Sequence, residues 1–416
     1  MKSFTTAAAV VALGSLASGK KCANITVPVT VNARNAVFDK AALTPHSNID
    51  VTNFILNLSQ QGHNYTQEQL KGYQNVEGTY HLATTYCYPD SGAPSTVQLL
   101  THGIGFDRSY WDIPYDNYQY SYTNEAVDKY GYATFSHDRL GIGMSQHGEP
   151  VNEIQAMLEI QALRMLTYGL RNGTIPGVPS FKKVVHIGHS FGSVQTYALT
   201  ALYPTISDGI GLTGFSQNGT FLPFFELGGD FVQANTNAKL ADYPDGYLAS
   251  ATPSAVQTNF LAPNAFDPNI LPFAFANGEP VTIGELLTIG GAAASKNELK
   301  APVLIITGER DVPFCGGDCY KAPTGYSSIP ETSKAMLPNA APFQVTIVPG
   351  TGHGLNLQYT YQFTYKTIND FFVANGDGPN AAASAAPAPA GKGADSGNPN
   401  NAWSYADHGN HHEGGW

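Results

Sequence analysis

Basic residues are scarce in this sequence. Its 416 residues include 21 Lys and Arg against 32 Asp and Glu, a formal net charge of −11, and no basic cluster interrupts the acidity. Such a chain lacks the electrostatic footprint that a phosphate backbone requires, which argues against nucleic acid as a partner. Long apolar runs are missing too. Beyond the first twenty residues nothing approaches the roughly 18 consecutive apolar positions of a membrane helix, and the C-terminal stretch carries no hydrophobic lipid-anchor signal. No integral membrane segment is expected after processing. Internal repeats are absent, as is His-Glu-x-x-His, and Cys315 and Cys319 have no second cysteine or histidine pair nearby to complete a zinc site. Gly141-Ile142-Gly143 has Gln146 where a dinucleotide fingerprint needs its third glycine. The sequence thus implies neither a metal nor a cofactor.

What is present begins with an export signature. Lys2 precedes the apolar run Ala7 to Leu13, and Leu16-Ala17-Ser18-Gly19 offers small residues for cleavage, so residues 1–19 read as a signal peptide. The product is expected to be secreted. Four cysteines survive cleavage, an even number that allows three pairings in an oxidising compartment, of which Cys22 with Cys87 and Cys315 with Cys319 is favoured. Sequons at Asn24, Asn57, Asn64, Asn172 and Asn218 permit N-glycosylation on a eukaryotic export route.

Strand and helix patterns alternate along the rest of the chain. Thr26 to Ala33 and Gly78 to Tyr88 read as early strands, with a helical stretch at Val51 to Leu58 between them, and residues 20–95 form an N-terminal elaboration. Short buried-type strands follow at Thr96 to Thr101, Tyr132 to His137, Val184 to Ile187, Gly209 to Gly214, Val303 to Thr307 and Gln344 to Val348. Helices are predicted over Asn124 to Tyr130, Glu153 to Gly169, Val194 to Leu202 and Gln358 to Val373. This rhythm predicts an α/β fold, a mainly parallel, doubly wound sheet whose ligands bind outside the carboxyl ends of the strands. Residues 96–214 and 299–375 would supply its two halves. Between them, residues 215–298 break the rhythm with an aromatic-rich stretch from Phe215 to Phe275 that reads as an inserted cap or lid. From residue 376 to 416 the composition turns to Ala, Pro, Gly, Asn and Ser, a disordered tail in which His408, His411 and His412 are solvated rather than metal-binding.

Three strand ends carry chemistry. Gly188-His189-Ser190-Phe191-Gly192 fits G-x-S-x-G between a strand and a helix, the setting in which a sharp turn exposes a serine hydroxyl. A serine needs a base within hydrogen-bond reach and a carboxylate to orient that base. His353, after the Gln344 strand, is the one histidine between the cap and the tail, and Glu309 and Asp311 both follow the Val303 strand, with Asp311 preferred. An oxyanion would be held by the Phe191 amide and, from the turn His102-Gly103-Ile104-Gly105, by the Ile104 amide.

The order Ser190, Asp311, His353, the turn at His102 and the block Asp138 to Ser145 resemble the α/β-hydrolase superfamily over roughly residues 95 to 375, in the secreted serine-hydrolase branch common in filamentous fungi. Epoxide hydrolases and haloalkane dehalogenases resemble the same superfamily with an aspartate at the elbow, where this chain has Ser190. The resemblance implies cofactor-free acyl transfer, with a carboxylesterase or lipase-like enzyme expected and a small-molecule or lipid-like ester as substrate. Aminopeptidase, lactonase, thioesterase and carbon–carbon bond hydrolase chemistry use the same triad, and a non-catalytic binding protein on this scaffold would break it. Cys315 and Cys319 would staple the acid loop.

Overall fold

A computed structural model describes residues 19–380. The expected signal peptide and the tail histidines lie outside the described residues. Eight strands form the main sheet: β1 (Lys21–Val37), β2 (Gly72–Tyr88), β3 (Thr96–Thr101), β4 (Ala133–His137), β5 (Lys183–His189), β6 (Ile210–Thr213), β10 (Val303–Gly308) and β11 (Phe343–Val348). Three short strands elsewhere, β7 (Phe231–Gln233), β8 (Tyr247–Ser250) and β9 (Val281–Thr282), make a separate small sheet.

The main sheet runs β1-β2-β4-β3-β5-β6-β10-β11, with β1, β2 and β4 antiparallel neighbours and every later pairing parallel. Helices cover both faces, so β3, β4, β5, β6 and β10 are buried along their whole length and read as apolar or small runs rather than alternating ones. This is the expected doubly wound α/β-hydrolase fold.

β1 and β2 are longer than their sequence patterns suggested, each 17 residues, paired from Lys21↔Tyr88 to Val37↔Gly72. The Lys21 end of β1 and the Gly72 end of β2 are exposed or half-exposed and so carry no alternation, whereas at the other end of β1 the adjacent Asn35 and Ala36 are both buried. The Cys22–Cys87 disulfide ties one end of this ribbon, and Cys315–Cys319 closes a short turn after β10. Both favoured pairings are therefore present. Asn24, Asn57, Asn64 and Asn172 are exposed and Asn218 is half-buried.

Helix starts shift for local reasons. The long helix begins at Ala156 rather than Glu153, because the Glu149 and Glu153 carboxylates bind backbone amides and hold residues 149–153 in a turn. The terminal helix, Tyr361–Ala374, starts three residues late because the Gln358 backbone is extended, φ −122° and ψ 160°. The segment Asn124 to Tyr130, expected as one helix, is a short α-turn running into a π-turn over Glu125–Lys129. Among the described residues no helix is long and apolar enough to cross a membrane.

The tail boundary also needs correction. Residues 376–380 are packed: Asp377 is buried and pairs with Lys183 Nζ at 2.8 Å, while the Pro379 carbonyl accepts from the Ser95 and Thr96 amides. Composition hid this because a single buried ion pair leaves no periodic trace. Burial pushes the Asp377 carboxyl up to about 6 despite the lysine's opposing pull. Asp377→Ala would leave the Lys183 ammonium buried against the Gly376 carbonyl alone and should cost roughly 3 kcal/mol, read from denaturant unfolding at neutral pH.

Candidate active site

β5 runs directly into the helix Phe191–Leu202, and Ser190 sits at the corner with φ 54° and ψ −118°, a backbone region that non-glycine residues rarely occupy. The turn is held from both sides. Ser190 N–H donates to the Thr213 carbonyl of β6 at 2.9 Å, and a Cβ on Gly192 would lie 2.2 Å from the Thr101 carbonyl at the end of β3. Only a glycine lets the elbow helix approach β3 that closely.

The acid and the histidine come from the next two strand ends. Asp311 Oδ2 accepts from His353 Nδ1 at 2.8 Å and from the Thr307 hydroxyl at 2.6 Å, and its Oδ1 accepts from the Phe314 amide at 2.9 Å. Both side chains are buried. With Nδ1–H committed to the carboxylate, His353 Nε2 is an acceptor, and it is buried without a hydrogen-bond partner among the described residues. Glu309, the other acidic candidate, instead accepts from the Gly350 amide at 2.8 Å and so braces the histidine loop.

That loop is pinned again by Gln358, whose Oε1 accepts from the Gly352 and Ala262 amides, each at 2.9 Å. The His353 ring packs against Phe260 at 5.8 Å, Phe314 at 5.7 Å and His189 at 4.9 Å between centroids. Gly214, φ 57°, backs the imidazole: a Cβ there would stand 2.8 Å from His353 Cε1. Since Ser190 N–H is bound to Thr213, the residue before Gly214, serine and imidazole are registered through one backbone step of β6.

His102 orders the second turn. Its Nδ1–H donates to the Gly103 carbonyl and its Nε2 accepts from the Arg139 amide, each at 2.9 Å. Burial, reinforced by the Arg139 charge, keeps this imidazole neutral, as two such opposite roles demand. Because a peptide is planar and trans, fixing the Gly103 carbonyl turns the Ile104 N–H to the opposite side, away from His102. Ile104 and Ser190 line one pocket, and neither the Ile104 nor the Phe191 amide donates a hydrogen bond among the described residues.

Beneath the elbow, the Arg139 guanidinium lies 4.7 Å from the centre of the Phe191 ring and binds the carboxylates of Glu159 and Glu285. All three ions are buried. Burial, with Glu285 adding to it, holds the Glu159 carboxyl well above the ordinary range, against the pull of Arg139. His189 is likewise neutral, through burial and the neighbouring His353, and stacks on Tyr110 at 4.4 Å.

Residues 98–362, more than half of the sequence, match the alpha/beta hydrolase family. The chain belongs to that family. No curated protein matches it. Solved structures similar to this family member include an esterase from Thermogutta terrifontis, 17% identical, covering 71% of this chain and 94% of that one with a TM-score of 0.47. A monoacylglycerol lipase from Paleococcus ferrophilus is 14% identical over 71% and 99% of the two chains, TM-score 0.46. A bromoperoxidase from Bacillus anthracis is 18% identical over 71% and 96%, TM-score 0.48. Among the described residues no group of three or more His, Cys, Asp and Glu side chains could hold a metal ion.

Sequence reasoning missed Thr307, Gln358 and the two bonds of His102. The first two stood in expected elements and carried no motif. The His102 imidazole was passed over because its turn was valued for glycine alone. Gly192→Ala should destabilise the fold by roughly 3 kcal/mol, since the clash is with backbone that cannot move aside. Thermal unfolding of the purified variant checks this, and an unchanged midpoint would contradict the close approach.

Proposed function

We propose that the protein is a secreted, cofactor-free serine hydrolase that cleaves carboxylic esters with an apolar portion. The observation that carries the proposal is the buried His353–Asp311 bond, which leaves Nε2 without a partner among the described residues, together with a Ser190 whose strained corner is registered to the same imidazole through Thr213 and Gly214. Ser190 Oγ attacks the acyl carbon while His353 Nε2 takes its proton, and the imidazolium so formed is stabilised by Asp311. The Ile104 and Phe191 amides receive the oxyanion, and collapse of the tetrahedral intermediate expels the alcohol, which takes the proton from Nε2. Water then repeats the sequence on the acyl-enzyme, with His353 again as base.

Apolar lining around Ser190, with Leu222, Phe225, Ile289 and Phe314, supports an apolar substrate arm. The Lys2-led apolar run, the two disulfides and the exposed sequons support the export route.

Hydrolysis of p-nitrophenyl esters from acetate to palmitate tests the reading. Ser190→Ala should abolish turnover with the fold retained. Asp311→Asn should lower kcat by several orders of magnitude, roughly 10⁴-fold, whereas Glu309→Gln should change it by less than about tenfold. The reverse ranking of the two acids would move the orienting carboxylate to Glu309, and full activity in Ser190→Ala would remove the serine mechanism.

A further inference from the structure

One ionisable side chain beside Ser190 has no part in the chemistry above. Glu226 lies on the helix Leu222–Gly228 and lines the same pocket as Ser190 and Ile104, whose other walls are apolar. The residue is 8% exposed. Its Oε2 accepts from the Ser59 hydroxyl at 2.7 Å, just past the helix Asn48–Leu58, while Oε1 makes no hydrogen bond among the described residues. No cation pairs with it there.

A carboxyl in that position is costly to bury, and one hydrogen bond to a serine does not offset the cost. Leucine or methionine would serve the helix packing better. Burial accordingly raises the proton affinity of the group, with Ser59 alone opposing. Past Leu222, Ile289 and Phe314, which line both spaces, the pocket adjoins a second cavity of about 280 Å³ that is largely apolar, with Ser216 and Gln217 on its wall. The space at Ser190 is itself small, about 20 Å³, and among the described residues Glu226 is the one carboxyl on its wall.

We infer that Glu226 is a specificity-determining residue, and that the preferred substrate is an ester whose apolar arm carries a hydroxyl group that donates to Glu226 Oε1. This rests on the hydrolase reading of the same site. A hydroxyl suits the position better than an ammonium, because it crosses an apolar chamber at a far smaller desolvation cost.

The test compares matched substrates on the intact protein. One series is p-nitrophenyl esters of ω-hydroxy acids against the unsubstituted acids, over chains of about four to eight carbons, and the other is butanoates of diols against those of simple alcohols. At one length in one series, kcat/KM should favour the hydroxylated member by roughly tenfold, chiefly through KM. Glu226→Leu should erase that preference, and Glu226→Gln should keep part of it through its amide oxygen. Equal rates for both members at every length in the wild-type chain would overturn the inference without recourse to a variant, as would a preference that survives Glu226→Leu. Hydrolysis of the plain esters that is lost in Ser190→Ala would at the same time leave the hydrolase reading standing. No hydrolysis of any ester would overturn both.

Discussion

The site depends on how closely the helix after β5 can approach the end of β3. Three backbones converge there: the elbow at Ser190, the Thr101 carbonyl and the end of β6. Only because residue 192 has no Cβ can the helix Phe191–Leu202 start immediately after the serine, and the Phe191 amide at its start donates no hydrogen bond among the described residues. The strained φ at Ser190 follows from that packing, which over-determines the turn. Relaxing the approach would move the serine, the Phe191 amide and the His353 backing at Gly214 together.

The remaining parts are adjusted to this corner by hydrogen bonds of long sequence separation. Asp311 is fixed by Thr307 from its own strand and by the Phe314 amide, so it presents one oxygen to His353 in a defined direction. Glu309 and Gln358 hold the backbone just before His353 at Gly350 and Gly352, and Gln358 reaches the inserted segment at Ala262 as well. Through Arg139, the ring of Phe191 is tied to Glu285 on the helix Ile283–Ala292, in the same insertion. The aromatic insertion is thus mechanically continuous with both the imidazole and the elbow, and it carries Glu226 into the pocket.

How much of this was legible in the sequence varies with how local its cause is. β3, β5 and β10 were readable because strands buried on both faces become short apolar runs bounded by glycine or charge. Ser190 and Asp311 stood out because each follows such a strand, and His353 because it follows the half-exposed strand β11 in a glycine-rich turn. The Lys21 end of β1 and the Gly72 end of β2 were not readable, since exposure erases the alternation there, and at the other end of β1 two adjacent residues, Asn35 and Ala36, are both buried. Nor was the packing of Asp377 on Lys183, a contact across 194 residues with no pattern at either end. Glu226 lay unremarked in the stretch read as an aromatic cap, and only the fold brings it to the pocket lined by Ser190.

The account stands or falls on Ser190 being an activated nucleophile. The most direct measurement is to treat the folded protein with a fluorophosphonate and to map the adduct by peptide mass spectrometry. A single stoichiometric adduct on Ser190, lost when His353 is replaced by alanine although the protein remains folded, is the result the account predicts. An unmodified Ser190 in protein shown to be folded, or labelling that is indifferent to His353, would contradict it.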